Sequence, residues 1–266
     1  MKVYNPYNTL KIPIKIWTKD LDDIYREEDV LDQAVNLANL PFAFKHIALM
    51  PDYHLGYGIP IGGVLATKGA IIPNAVGYDI GCGMLAMQTF LHDIDQKTLI
   101  KIKADIKKYI PVGSNHHKEK QLWNGWNDAP DTLIVQRELE SAKHQLGTLG
   151  SGNHFIEIQK GNDGFIWIMI HSGSRNFGYK IAGHYHKIAK IMCENWYSNI
   201  PNKDLSFLPM DMDIATEYMK AMNYALLFAK ENRYRMMNQV IDILHYDYYQ
   251  EYVDCIYDVH HNYAQW

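Results

Sequence analysis

Asp79 and Cys82 stand three residues apart in VGYDIGCGM, and the cysteine lies between Gly81 and Gly83. A thiol kept for packing prefers apolar neighbours. One that binds a cation needs room, an anionic partner and a backbone free to bend. Other glycine-bearing stretches offer further donors: LGTLGSGNHF with His154, MIHSGSRNFG with His171, and DVHHNYAQ with His260 and His261. Asp79, Cys82, His154, His171 and His261 together make one carboxylate, one thiol and three imidazoles. That set is too large for a single open tetrahedral site but suits two adjacent divalent cations, with the thiolate as a bridge. Softness alone favours zinc, and mixed oxygen, nitrogen and sulfur donors also admit Mn²⁺ or Fe²⁺.

Each of these residues also has a plainer reading. A lone cysteine is most often a small buried hydrophobe, and a lone histidine a hydrogen-bonded structural or surface residue. Cys193 and Cys255 read as core, and His116, His117, His184 and His186 as surface or helix-face residues. Asp52 and His54, in MPDYHLGYG, read equally as partners that orient the ligands or as turn residues. Arg175 together with Ser172 and Ser174 makes a phosphate or sulfate nest, because a guanidinium grips such oxygens in a bidentate fork. A structural salt bridge is the alternative for Arg175. Asn232 and Arg233 read as helix-surface pairing ahead of an oxyanion contact.

The elements that must carry these donors follow from periodicity. Runs rich in Ile, Val and aromatics predict strands at KIPIKIW, FKHIALM, GIPIGGVLAT, CGMLAMQTFL, HFIEIQK and FIWIMIH. Leu99, Ile102, Ile106 and Tyr109 form one helical stripe, and Ile181, Tyr185, Ile188, Met192 and Trp196 another. A longer helical reading covers about Asp211 to Leu244, either continuous or broken once. Residues 113–131 read as a surface loop or flexible insertion. Strands and helices do not alternate one for one, so the expected class is α+β, in a single domain over residues 1–266. GYGIPIGG lacks the G-x-G-x-x-G spacing and the following helix of a dinucleotide fingerprint, which excludes a Rossmann site.

Composition narrows the classes further. The 266 residues are 47% hydrophobic and 21% charged, as in an ordinary globular protein. No apolar run is long enough to span a bilayer, and the first residues lack the core of a signal peptide, so a cytoplasmic protein without a membrane partner is expected. Three widely spaced cysteines make no disulfide framework. A net charge of −4 argues against a non-specific nucleic-acid coat but allows a local site for a phosphate or two.

MPDYHLGYGIPIGG, VGYDIGCGM, LGTLGSGNHFIE, HSGSRNFG and DVHHNYA occur in the order found in the RtcB family of RNA ligases, across residues 50–264, and the chain resembles that family. The resemblance implies the family's α+β fold, a centre of two Mn²⁺ ions, and GTP as energy source. It implies RNA substrates with 3′-phosphate or 2′,3′-cyclic phosphate ends and 5′-hydroxyl ends, as in tRNA splicing or RNA repair. Carried onto this chain, Cys82 bridges the ions and Asp79, His154, His171 and His261 complete the ligands. Asn153, Glu157 and Asn262 match positions near the bound nucleotide, and Arg175 holds substrate phosphate. The manganese of the family then replaces the zinc that softness favours.

One departure stands out. The family continues beyond its HN motif, and that later part supplies the guanylylated histidine. Here four residues follow Asn262, and no histidine matches that nucleophile; His260 does not fit the role. Three explanations follow: one half of a split enzyme completed by a separate C-terminal polypeptide, a shorter metal-dependent cyclic phosphodiesterase, or a non-catalytic RNA-end binding module. The split enzyme is the expectation, with an activating protein as a further possible partner.

Overall fold

The computed structural model describes residues 1–19, 28–245 and 255–266. In chain order its main elements are β1 (Lys2–Tyr4), β2 (Ile14–Ile16), α1 (Glu28–Ala38), β3 (Ala43–His54), β4 (Ile61–Thr67), β5 (Ala70–Ile71), β6 (Gly83–Gln88), α2 (Gln96–Tyr109), α3 (Leu133–Gln145), β7 (Phe155–Lys160), β8 (Ile166–Ser172), α4 (Arg175–Asn195), β9 (Leu208–Pro209), α5 (Asp213–His245) and β10 (Ile256–His260). The fold is of mixed α and β type with open sheets, in keeping with the α+β expectation. The described chain divides into two compact units, Met1–Gly77 with Gly183–Met219, and Tyr78–Ala182 with Lys220–Trp266.

The first unit holds a four-stranded sheet in the order β1-β2-β3-β4. Only the β2–β3 pair is parallel, and α1 lies between these strands in the chain. Ile14 and Ile16 of β2 and Ile47 and Leu49 of β3 point to the core at period two, where Leu31, Ala34, Leu37 and Ala38 of α1 meet them. GYGIPIGG leads into β4 rather than a helix, as its spacing required.

The second unit is built on an antiparallel sheet in the order β10-β6-β8-β7. Leu85 and Met87 alternate on β6 with Met84 and Ala86, and Ile166, Ile168 and Ile170 do the same on β8. Their buried side chains form one core with Ile102 of α2 and Met236, Met237 and Val240 of α5. α2 begins where the Asp95 carboxylate accepts from the Thr98 amide at 3.1 Å, and Lys107 and Lys108 sit in its last turn against the helix dipole.

All six expected strands are present, although two short ones, β5 and β9, and the edge strands β1 and β10 were not foreseen. Of the two readings of the long helix the continuous one holds: α5 runs unbroken for 33 residues. Residues 113–131 contain one 3-10 turn, Asn124–Asp128. Trp123 and Trp126 meet edge to face at 4.9 Å, the Tyr224 hydroxyl donates to Gly125 O at 3.0 Å, and Arg235 donates to Leu122 O.

Candidate metal centre

Strand ends bring the five expected ligands together within the second unit. Cys82 immediately precedes β6, His171 lies near the end of β8, His154 immediately precedes β7, and His261 immediately follows β10. In the ladder His171 sits opposite both Met84 and Phe155. Asp79 occupies the turn before Cys82 and accepts the Ser174 amide at 3.1 Å, while His261 N donates to Cys82 O at 2.9 Å. Side chains far apart in sequence therefore converge at one end of one sheet.

Cys82 Sγ lies 3.2 Å from His171 Nε2 and 3.5 Å from His154 Nε2. Asp79 Oδ2 lies 2.8 Å from His154 Nε2, and His171 Nε2 lies 3.3 Å from His261 Nε2. Two donor groups result, Asp79–Cys82–His154 and Cys82–His171–His261, and Cys82 is common to both. His154 donates its Nδ1 proton to Leu149 O at 2.9 Å and His171 its own to Asn153 O at 3.1 Å. These carbonyls commit each Nδ1 and turn each Nε2 toward the thiol, as in histidines that ligate metal.

A carboxylate, a thiol and three imidazole nitrogens this close call for a proton or a cation between them. Burial works to raise the Asp79 carboxyl, but the hydrogen bonds and charges of His154, Cys82 and Arg175 outweigh it and hold it below the usual carboxylate range. Burial and the neighbouring His154 lower the basicity of His171. Burial first, then the Asp79 carboxylate, push the Cys82 thiol far up. The protein alone thus opposes the thiolate, and a cation held by these residues would reverse that balance. The donor set fits divalent metal.

The two glycines around Cys82 now have a reason. Gly81 has φ of 74°, and a Cβ there would lie 2.8 Å from Ala229 Cβ on α5. A Cβ at Gly83 would lie 2.3 Å from Val259 O of β10. Both side chains are absent so that a helix and a strand can close on the cysteine.

Of the remaining expected residues, Asn262 and Asn153 touch the backbone or ring of a ligand directly. Asn262 Nδ2 donates to Asp79 O at 3.2 Å, and its own carbonyl accepts from Gly81 N at 2.8 Å. Asn153, exposed, contributes its carbonyl to His171, and Glu157 is exposed on β7. Arg175 starts α4 with φ of 58°, an uncommon conformation for a residue with a side chain. It donates to Thr148 Oγ1 at 3.0 Å and to Gly113 O at 2.8 Å. The Ser172 hydroxyl is buried and donates to Leu149 O at 2.9 Å; Ser174 is also buried. Asp52 and His54 lie at the end of β3 in the first unit, where His54 Nδ1 donates to Asp52 O at 2.8 Å.

Two plainer readings need correction. Asn232 and Arg233 are not on the helix surface: both are fully buried. Ala225, Phe228, Ala229, Met236 and Val240 are buried around them, so the polar pair occupies the apolar stripe of α5, a signal the sequence did carry. Cys255 is half-exposed rather than core, while His186 lies on a helix face, that of α4, and is buried there. Cys193 is buried, as expected.

A family model described as tRNA-splicing ligase RtcB matches residues 33–128 and 116–266, and the chain belongs to the RtcB family. Among its relatives is the RNA-splicing ligase RtcB of Escherichia coli (strain K12), 37% identical over 291 residues, covering 98% of this chain and 69% of that protein. The tRNA-splicing ligase RtcB of Pyrobaculum aerophilum is 30% identical, over 96% of this chain and 64% of its own length. The tRNA-splicing ligase RtcB of Thermococcus kodakarensis is 29% identical, again over 96% and 64%. The chain thus spans about two thirds of the length of these relatives. Among the described residues no helix is long and apolar enough to cross a membrane.

Proposed function

We propose that this chain forms the metal-binding part of an RNA ligase that joins 3′-phosphate or 2′,3′-cyclic phosphate ends to 5′-hydroxyl ends, using GTP and two Mn²⁺ ions. The observation that carries the reading is the sharing of Cys82 between two ligand groups, with Asp79 and His154 on one side and His171 and His261 on the other. Bound metal would neutralise phosphate charge and favour ionisation of the attacking hydroxyl or water. A 3′-phosphate has no good leaving group of its own. Transfer of GMP onto it supplies one, and the 5′-hydroxyl oxygen then bonds to that phosphorus as GMP departs.

The roles of the chain's own residues follow from their contacts. Arg175, held to the Gly113 and Thr148 loop, carries the cation that grips substrate phosphate, and the buried Ser172 and Ser174 fix the turn from which it projects. Asn153, Glu157 and Asn262 border the nucleotide. The guanylylated group is unassigned in this sequence.

A narrower reading, hydrolysis of 2′,3′-cyclic phosphate ends alone, requires only the metal ligands and Arg175, all of which lie in one compact unit. A non-catalytic RNA-end binding module is the reading of a different class. The test supplies Mn²⁺, GTP, a labelled RNA with a 2′,3′-cyclic phosphate and a 5′-hydroxyl partner strand. A joined strand supports the ligase, opening to the 3′-phosphate alone supports the narrower reading, and binding without either product leaves only the module.

A further inference from the structure

Arg233 lies in the middle of α5, fully buried, in a position otherwise suited to an apolar side chain. Its Nη1 donates to Gly81 O at 2.8 Å and to Ser172 O at 3.0 Å. Its Nε donates to Asp258 Oδ1 at 2.8 Å, and Nη2 reaches the same oxygen at 2.7 Å. Nη2 also donates to His260 Nδ1 at 3.0 Å. Gly81 adjoins Cys82, Ser172 adjoins His171, and His260 adjoins His261. One planar guanidinium therefore bonds the immediate neighbour of each ligand in the Cys82–His171–His261 group.

We infer that Arg233 is the positioning residue of this metal group, a single fork that sets the spacing of three ligand-bearing strand ends. The ends of β6, β8 and β10 meet here, and Nη1 supplies donors to carbonyls of two segments at once. A lysine has no fixed fork and cannot hold the same partners in one plane. Asn232, next in the chain, serves the other arm: its Oδ1 accepts from Gly147 N at 2.7 Å and Thr148 N at 3.1 Å. Its Nδ2 donates to Thr148 O at 3.1 Å, Ser172 Oγ at 3.2 Å and Gly173 O at 3.1 Å. Leu149, whose carbonyl orients His154, follows directly. Neither Arg233 nor Asn232 is a ligand.

The inference rests on the metal reading above, and its test separates the two. Removing Arg233 alone would strand the Asp258 carboxylate, so the informative variant replaces both partners, Arg233→Met with Asp258→Leu. Exchanging a buried ion pair for apolar residues of similar volume is often neutral or stabilising. Affinity for Mn²⁺ alone is measured by calorimetry, with near-ultraviolet circular dichroism and thermal melting as checks on the fold. The double variant is expected to stay folded, melting somewhat below the parent because the Gly81 and Ser172 carbonyls lose a donor, yet to bind Mn²⁺ at least about tenfold more weakly, as loss of the groups behind metal ligands typically does. Arg233→Lys should weaken binding in the same direction. Parental affinity in either folded variant overturns the inference. So does failure of both to fold while Cys82→Ala folds, which would make Arg233 a folding element instead. A parent chain that binds no Mn²⁺ removes the metal reading itself, and the inference with it.

Discussion

Asp79 Oδ2 and His154 Nε2 meet at 2.8 Å, while the other nitrogen of the ring is committed to the Leu149 carbonyl. The same construction recurs at His171, whose Nδ1 is committed to the Asn153 carbonyl and whose Nε2 faces both Cys82 and His261. Backbone carbonyls thus decide which ring nitrogen points inward. The thiol common to both groups is where an electron pair can serve two cations.

Replacing Cys82 by alanine is expected to remove metal from both groups, because each loses a ligand that no neighbour replaces. Metal analysis of the purified chain should show near-complete loss, and turnover on RNA ends should fall with it. Retention of parental metal content contradicts the shared-ligand reading.

Metal affinity should rise with pH. Asp79 is held below the usual carboxylate range, and burial lowers His171, so both are already in their ligating forms at neutrality. The Cys82 thiol is pushed the other way and keeps its proton until a cation displaces it. Release of one proton predicts a gain of about tenfold per pH unit below the thiol's own range. Calorimetry in buffers of different ionisation enthalpy would count that proton, and an affinity flat between about pH 6 and pH 8 would count against it.

Gly83→Ala places a methyl group 2.3 Å from Val259 O. The expected outcome is a loss of about 1–3 kcal/mol in stability, as for other overpacked sites, read from chemical denaturation. Because His261 follows β10 directly, Mn²⁺ affinity should fall in the folded fraction as well. Gly113→Ala, whose Cβ would meet nothing within 4 Å, tests the backbone cost alone, since its φ is 66°.

Arg175→Ala is expected to leave metal content intact and to weaken binding of phosphate-ended RNA by about tenfold or more, because a bidentate phosphate contact is lost. Binding assays with matched RNAs ending in a phosphate or a hydroxyl would isolate the effect. Equal losses for both RNAs would assign Arg175 to the loop it anchors through Gly113 and Thr148.

Much of this arrangement was legible from residue types. Apolar runs rich in strand-forming residues marked β6 and β8, and in the structure Leu85 and Met87, and Ile166, Ile168 and Ile170, are buried at every second position. The five donors were legible because carboxylate, thiol and imidazole lay beside glycines at strand ends. β10 was less so: Ile256, Tyr257 and Val259 are exposed on an edge strand, where burial imposes little pattern. Arg233 and Asn232 were misread for another reason. Periodicity places a residue on a helix face, but whether a charge can stay there depends on partners such as Asp258 and the Gly81 carbonyl, which come from distant segments.

The most direct test is titration of the purified chain with Mn²⁺, followed by electron paramagnetic resonance, in the parent and in Cys82→Ser. The expected result is two ions per chain with an exchange-coupled spectrum in the parent, and loss of that coupling when the thiolate is removed. A single uncoupled ion, or a coupled pair that persists in Cys82→Ser, would contradict a centre built around Cys82.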